Sequence, residues 1–222
     1  MLNKPKRIGI DARFYGPLGK GLGRYVQEVV DTIIKIDLES QYVIFLSPKN
    51  FDEFVVAESD SGRIKKVCLD LPWYGIKEQL LFPFFIWREK LDLIHFPHFN
   101  VPVFNFRPFV VTIHDLILTK FPTIRATTLH PLVYRLKDLA YRLVIKSALK
   151  RSRQIIAVSD FTKSDIVEQF GVNPDKIRVV YEGVANLAKG RDSLFVAKLD
   201  EAQTLSRHRL EREFILYIGN AY

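Results

Sequence analysis

The sequence predicts an α/β fold, in which a parallel β-sheet is covered by helices on both faces. Short apolar runs alternate with amphipathic segments along the 222 residues, and the connections between them are short. The first apolar run also leads through a glycine-rich bend directly into a helix. The length suits one domain, or one domain and part of another.

The predicted strands are apolar runs that end at polar residues, glycine or proline. They are Arg7–Asp11, Tyr42–Leu46, Ile64–Leu69, Leu93–Phe96, Phe109–Ile113, Gln154–Val158, Ile177–Tyr181 and, after a charged segment, Phe214–Ile218. The carboxyl ends of parallel strands share one edge of the sheet, and ligands bind at that edge. We therefore expect the functional residues directly after the strands.

The predicted helices are segments whose apolar residues recur every three or four positions. They are Gly23–Ile36, Phe51–Val56, Ile76–Glu89, Thr128–Arg151 and Thr162–Gln169. Pro83 is expected to kink or split the third of them, because proline lacks the N–H that a helix needs. Ser159 stands where it can cap the last one.

Charge and composition narrow the class of protein. The net charge of +8 and a pI near 9.5 point to an anionic partner: nucleic acid, anionic lipid or a phosphorylated substrate. No nucleic-acid-binding motif is present, so we expect no nucleic-acid partner. The single cysteine suits a reducing compartment. The charged start and the short apolar stretches predict a cytoplasmic protein, soluble or peripheral on the inner face of the membrane.

The bend within residues 8–30, IGIDARFYGPLGKGLGRYVQEVV, has the features of an anion site. Its glycines leave the backbone accessible at the positive end of a helix dipole, which suits a phosphate. A tight turn without a ligand is the alternative. The spacing excludes a dinucleotide fingerprint, since Arg24 or Val26 stands at the third glycine, and a P-loop, since Gly21 follows Lys20.

Four segments in order resemble glycosyltransferase family 4, which comprises retaining sugar-nucleotide transferases of the GT-B fold, many of them mannosyltransferases. They are the bend above, VVTIHDLILTKFP, AVSDFTKSDIVEQFGVNPDKIRVVYEGV and FILYIGN. The resemblance covers the amino-terminal half of a family member. It implies a Rossmann-like acceptor-side domain at 1–185, a linker or helix at 186–212, and the first strand of a second Rossmann-like domain at 213–222.

The resemblance also implies which residues act. Lys20, Gly21 and Gly23 would approach the donor diphosphate, and His114 would be the catalytic residue that contacts the donor sugar, as a neutral imidazole. Two further positions, Asp115 and Ser159, would line the cleft. Glu182 stands where the family often has asparagine.

The function that the resemblance implies is the acceptor-side half of a retaining glycosyltransferase. Such an enzyme moves a sugar, with mannose one candidate, from a GDP- or UDP-sugar to a lipid-linked or polysaccharide acceptor, without a metal or another cofactor. We expect the chain to need a separate carboxyl-terminal half that binds the donor, because the family's diphosphate clamp and paired glutamates would follow Tyr222. The alternative is a non-catalytic module that binds an acceptor or a membrane.

The long helix predicted at Thr128–Arg151 carries an apolar stripe and a basic face. The basic residues recur at helical spacing and are expected to face an anionic membrane, with a solvated surface as the alternative. They are Arg135, Arg142, Lys146, Lys150 and Arg153.

Two other kinds of site are disfavoured by the pattern. His95, His98 and His114 do not have the spacing of a dependable tetrahedral zinc site. Ser159 with His114 and Asp160 lacks the G-x-S-x-G elbow of a hydrolase, and helix capping explains the serine better.

Overall fold

The computed structural model describes residues 5–120, 131–183 and 206–207, and it confirms the parallel sheet. Seven strands pair in the order β3-β2-β1-β4-β5-β6-β7, and every pair is parallel. They are β1 (Arg7–Asp11), β2 (Gln41–Leu46), β3 (Ile64–Cys68), β4 (Leu93–Phe96), β5 (Phe109–Ile113), β6 (Gln154–Ala157) and β7 (Ile177–Val179).

Helices cover both faces of this sheet, as predicted. They are α1 (Lys20–Ile36), α2 (Ile76–Arg88), α3 (Ile117–Lys120), α4 (Pro131–Arg151) and α5 (Asp160–Phe170). Connections between parallel strands are right-handed, so the direction of each crossover decides the face. The α1 crossover runs toward β3, whereas the α2, α4 and α5 crossovers run toward β7, which places these three helices together on the opposite face.

The core accordingly has two parts. One apolar cluster packs α1 against the sheet through Val26 and Val30. The other packs α2, α4 and α5 against the opposite face and includes Phe82, Ile145 and Ile166. Burial of these side chains is the main force that holds the layers together.

One predicted helix is wrong. Residues 51–56 form turns and irregular backbone, not a helix. The side-chain amide of Asn50 donates to the carbonyl oxygens of Ala12, Arg13 and Tyr15, while its oxygen accepts from Ser47. These bonds fix the turn against the end of β1 and compete with helix formation.

The helices also differ from the predictions elsewhere. α1 begins at Lys20 rather than Gly23, because a 3₁₀ turn at Pro17–Gly19 leads into it. α2 continues through Pro83 without a split, held to the core on both sides of the proline by Phe82 and Ile86. The short helix α3 has no counterpart among the predicted elements.

The chain divides into two compact units between Glu182 and Gly183. The sheet and its helices belong to the first. Apart from residues 206–207, the predicted linker at 186–212 and the predicted strand at 213–222 lie outside the described residues, as does the predicted start of α4 at Thr128.

Candidate functional site

Polar side chains lie together at the carboxyl edge of the sheet, where the sequence analysis predicts the ligand site. Asp11 ends β1, His114 follows β5 and Ser159 follows β6. Glu182, three residues beyond β7, hydrogen-bonds to the His114 ring. One edge therefore collects side chains that lie far apart in the sequence.

The glycine bend lies at this edge and leaves one backbone position open. A Cβ at Gly23 would lie 2.1 Å from the carbonyl oxygen of Gly16, so only glycine fits there. At Gly21, in the exposed first turn of α1, a Cβ would meet nothing within 4 Å. The Lys20 N–H donates to the carbonyl oxygen of Pro17, whereas the N–H groups that follow in this first turn have no acceptor within the helix and carry the positive end of its dipole. The bend is therefore closely packed at Gly23. At Gly21, beside the exposed Lys20, it is open and electropositive.

His114 is held on several sides. Its Nδ1 lies 2.8 Å from Glu182 Oε1, and its Nε2 lies 2.9 Å from the carbonyl oxygen of Pro97. The Tyr25 ring packs edge-on at 4.7 Å between centroids. The hydroxyl of Thr162 donates to the His114 carbonyl oxygen and fixes the backbone.

These contacts place an oxygen acceptor against each ring nitrogen of His114. The carboxylate of Glu182 lies at Nδ1, and the backbone carbonyl of Pro97 lies at Nε2. The ring is therefore held between two oxygen atoms from different parts of the sheet edge.

Tyr25 connects the bend to the histidine. It follows Gly21 by four residues, so the two lie on the same side of α1, one turn apart. The ring of Tyr25 contacts His114, and its hydroxyl shares Thr112 Oγ1 with His95 at 3.2 and 2.9 Å. Tyr25 thus contacts the His114 ring one helical turn after Gly21.

The two predicted cleft-lining residues bond to nearby backbone. Asp115 is exposed and accepts from the backbone N–H of Ile117, at the start of α3. Ser159 caps α5 by accepting from the backbone N–H of Thr162 at 3.1 Å, which confirms the predicted cap. Its hydroxyl pairs with Thr162 rather than with the His114 ring.

A buried cluster of charged side chains lies at the end of β1, directly before the bend. The sequence analysis did not predict it. Arg13, which is 3% exposed, bonds to Asp11 through Nε at 2.8 Å and to Glu78 through Nη2 at 2.6 Å. Burial disfavours the charged guanidinium, but these two carboxylates raise the Arg13 pKa above its usual value. The carboxylate of Glu78 also accepts from Asn100 and from the backbone of Tyr74. The cluster fixes the start of α2 to the end of β1.

Aromatic rings cover this cluster on the side of the bend. Phe14, next to Arg13, stacks on Trp73 at 3.6 Å, and the Arg13 guanidinium lies 4.2 Å from the Trp73 ring. His98 packs against Phe14 and Phe99, and its Nδ1 is buried without a hydrogen-bond partner. Burial lowers the pKa of His98 to about 4, so this ring is neutral at neutral pH.

The three histidines of the disfavoured zinc site have separate surroundings. His95 bonds to Thr112, and burial lowers its pKa to about 4, whereas His98 packs among aromatic rings and His114 bonds to Glu182. Within the described part of the chain, no three side chains are grouped as metal ligands.

The five basic residues predicted to face a membrane lie on or just beyond α4. Arg135, Lys146, Lys150 and Arg153 are exposed, and Arg153 follows the end of the helix. Arg142 is half-buried and forms an ion pair with Asp138 at 2.8 Å. None of the described helices is both long and apolar enough to cross a bilayer.

Comparison with solved structures finds distant similarities. A glycosyltransferase from Rickettsia africae ESF-5 has 16% identity and a TM-score of 0.42 over 95% of this chain and 51% of that one. The wall teichoic acid polymerase TagF has 16% identity and a TM-score of 0.49 over 93% of this chain and 44% of that one. The apo form of WaaB, a lipopolysaccharide outer core galactosyltransferase, has 13% identity and a TM-score of 0.44 over 81% of this chain and 46% of that one. The chain spans about half the length of these structures, and no curated protein matches it.

The sheet and its polar edge define a Rossmann-like α/β domain with a glycine bend at the start of its first helix. The family model described as Glycosyltransferase Family 4 matches residues 19–185, which is more than half of the chain. The chain therefore belongs to glycosyltransferase family 4.

Proposed function

We propose that this chain is the acceptor-side half of a retaining glycosyltransferase of the GT-B fold. It acts with a donor-binding half on a GDP- or UDP-sugar, with mannose one candidate, and a lipid-linked or polysaccharide acceptor. Family membership supports the class of reaction. The choice of sugar and acceptor comes from the family resemblance alone.

The observation that supports the proposal is that Tyr25, one turn after Gly21 in α1, contacts the His114 ring. When the bond from the sugar to the diphosphate breaks, negative charge grows on the leaving phosphate. Backbone amides at the start of a helix and an imidazole N–H both stabilise such charge, most strongly where water is excluded. Gly21 leaves the backbone at the start of α1 accessible, and Tyr25, one turn further along the helix, contacts the imidazole.

Glu182 acts in this proposal as a positioning residue. Its carboxylate is half-exposed and lies after β7, whereas the carbonyl of Pro97 belongs to a buried backbone segment. Pro97 therefore anchors the Nε2 side of the ring, and Glu182 orients the Nδ1 side until the carboxylate turns away and this side of the ring meets the donor.

The test is transfer of labelled sugar from GDP-mannose and UDP-glucose, with a family 4 donor-binding half fused after residue 222. We expect His114→Ala to lower the rate by about a hundredfold or more, as the loss of one donor to a developing negative charge does elsewhere. Glu182→Gln keeps a hydrogen-bond acceptor, so it should retain more activity than Glu182→Ala.

Leu38→Ser is the control, since this exposed side chain lies beyond the end of α1. Full activity in His114→Ala, with normal folding, would remove the role assigned to the histidine. Equal losses in both Glu182 variants would show that the hydrogen bond to the ring does not matter.

A non-catalytic module that binds an acceptor or a membrane is the second candidate. The exposed apolar side chains of α2 and α4 favour it, because binding a membrane requires no donor half. Such a module would support no transfer in the fusion from either nucleotide sugar, whereas a transferase half would.

A further inference from the structure

Two polar side chains lie on the face of the sheet beneath α1. Side chains along a strand alternate between the two faces. Ile94 and Val111 belong to the core on the α2 side of the sheet. The residues that follow them, His95 of β4 and Thr112 of β5, therefore point toward α1. The face beneath α1, which is apolar on β1 and β2, thus carries polar side chains on β4 and β5.

A chain of hydrogen bonds joins these two side chains to α1. Thr112 Oγ1 lies 2.9 Å from His95 Nε2 and 3.2 Å from the hydroxyl oxygen of Tyr25. A threonine hydroxyl has one hydrogen to donate and also accepts, so Thr112 can bond to both neighbours at once. Burial lowers the pKa of His95 to about 4, so its ring is neutral at neutral pH and can take part as donor or acceptor.

The chain of hydrogen bonds fixes the direction of the Tyr25 side chain. Burial raises the pKa of Tyr25, as expected for a hydroxyl shielded from water. A shielded hydroxyl without a partner is unfavourable, so rotamers that keep the bond to Thr112 are favoured. Thr112 is completely buried in β5, which pairs with β4 on one side and with β6 on the other. Tyr25 is therefore bonded to one of the most rigid parts of the sheet.

The ring of Tyr25 in turn contacts His114. This histidine follows Thr112 by two residues, so both point toward the same face of the sheet. The Tyr25 and His114 rings stand perpendicular, with 4.7 Å between their centroids. The other contacts of the His114 ring described above are the buried Pro97 carbonyl and the half-exposed Glu182 carboxylate. When Glu182 turns away toward solvent, Pro97 and Tyr25 still hold the ring.

We propose that His95 and Thr112 are positioning residues of the transferase, which hold the Tyr25 ring against His114 and so fix the orientation of the imidazole. Both act through Tyr25. The catalytic part of this inference rests on the proposed function, whereas the effect on the His114 ring requires no donor. Residues that orient a group used in the transition state affect kcat, and they leave KM nearly unchanged.

The first test is NMR of the isotope-labelled full chain without a nucleotide sugar. Thr112→Val keeps the shape of the side chain and removes its hydroxyl, whereas Thr112→Ser keeps the hydroxyl. We expect Thr112→Val to shift the ring resonances of Tyr25 and His114, and Thr112→Ser to leave them near their parent positions. Equal shifts in the two variants, or an unchanged His114 ring in both, would overturn the proposal. Circular dichroism checks that each variant is folded.

The second test is a double-mutant cycle in the fusion that carries the donor-binding half. Tyr25→Phe keeps the ring and removes the hydroxyl, so it breaks the same bond as Thr112→Val. Each single variant should lower kcat by about tenfold and change KM by less than about twofold. The double variant should lose no more than either single one, because the bond is already broken. Losses that multiply would show that the two hydroxyls act separately, which contradicts the proposal.

Thr119→Val is the matched control, because Thr119 Oγ1 also bonds to a tyrosine hydroxyl, that of Tyr141, at 2.8 Å. Tyr141 belongs to α4, which packs on the face of the sheet opposite to α1. The control should leave the His114 ring resonances and the transfer rate unchanged, and equal effects of Thr119→Val and Thr112→Val would overturn the proposal.

The two tests separate this inference from the proposed function. An active parent fusion that keeps its full rate in Thr112→Val would overturn the inference and leave the proposed function intact. An inactive parent fusion would count against the proposed function, and the NMR comparison would still decide whether Thr112 orients the His114 ring.

Discussion

The carboxyl edge of the sheet differs from the outward sides of α2 and α4 in what it exposes to solvent. We call these outward sides the outer helix face, namely Leu80, Phe84, Trp87, Leu136, Leu139 and Leu143. At the edge, charged groups are buried and paired, as Arg13 is with Asp11 and Glu78. On the outer face, apolar groups such as Leu136 and Trp87 are exposed between bases. Burying charged groups and exposing apolar groups to water both cost free energy. Each arrangement is therefore typical of a surface that binds a ligand or a partner.

The two regions differ in how strongly they depend on exact atomic positions. The edge depends on atomic positions, since one Cβ at Gly23 or one missing carboxylate disturbs it. The outer helix face depends on which types of side chain point outward from the helices, so individual contacts matter little there. Substitutions should therefore affect stability at the edge and binding at the face.

The largest expected difference in stability comes from the same substitution made in both regions. Arg13→Met leaves two buried carboxylates without their cation, which should lower the free energy of unfolding by about 3–5 kcal/mol. Arg135→Met on the exposed side of α4 should change it by less than about 0.5 kcal/mol. Urea unfolding at neutral pH measures both. Similar losses in the two variants would show that the buried cluster does not fix the edge.

Between about pH 6.5 and 4, a pH dependence should come from two histidines of the edge, His95 and His98, whose pKa values burial lowers to about 4. Burial lowers the pKa of His98 from 6.5 to about 4. The unfolded chain therefore binds more protons between these pH values, and stability is lost as the pH falls from about 6.5 toward 4. His98→Phe keeps an aromatic ring and removes the titrating group, so it should recover about 1–3 kcal/mol near the acid end.

The check is urea unfolding across that range, with Lys146→Gln on the outer face as the control. The control should follow the parent chain at every pH. A His98→Phe variant as acid-sensitive as the parent would show that another group is responsible.

The smallest expected change is a gain in stability. Gly21→Ala adds a methyl group to an open position in the first turn of α1, which should stabilise the helix by about 0.5–1 kcal/mol. The same methyl group stands where a phosphate would approach, so affinity for a nucleoside diphosphate should fall. Thermal unfolding and isothermal titration separate the two effects, and unchanged affinity would place the anion elsewhere.

Much of the fold could be predicted because its signals are local. The strands are apolar runs bounded by polar residues, and the alternation of strands and helices implies parallel pairing. The glycine bend, the Ser159 cap and the edge where His114 lies follow from the same patterns. The helix expected at 51–56 failed because Asn50 bonds to backbone far away in the sequence.

The contacts between distant side chains could not be predicted. Glu182 lies 68 residues after His114, and Glu78 lies 65 residues after Arg13. Nothing in the local pattern marks either carboxylate as a partner. Periodicity also could not assign the sides of α4, because a helix that is apolar on both sides gives no signal for which side meets the core.

The most direct test of the central claim is a titration with GDP and with UDP, followed by NMR, of the isotope-labelled chain fused to the donor-binding half described above. If the bend receives the diphosphate, the backbone amides of Lys20 and Gly21 and the His114 ring should shift together, while Leu136 and Leu143 stay unchanged. Saturable shifts confined to other residues, or none at the bend with either nucleotide, would contradict the account.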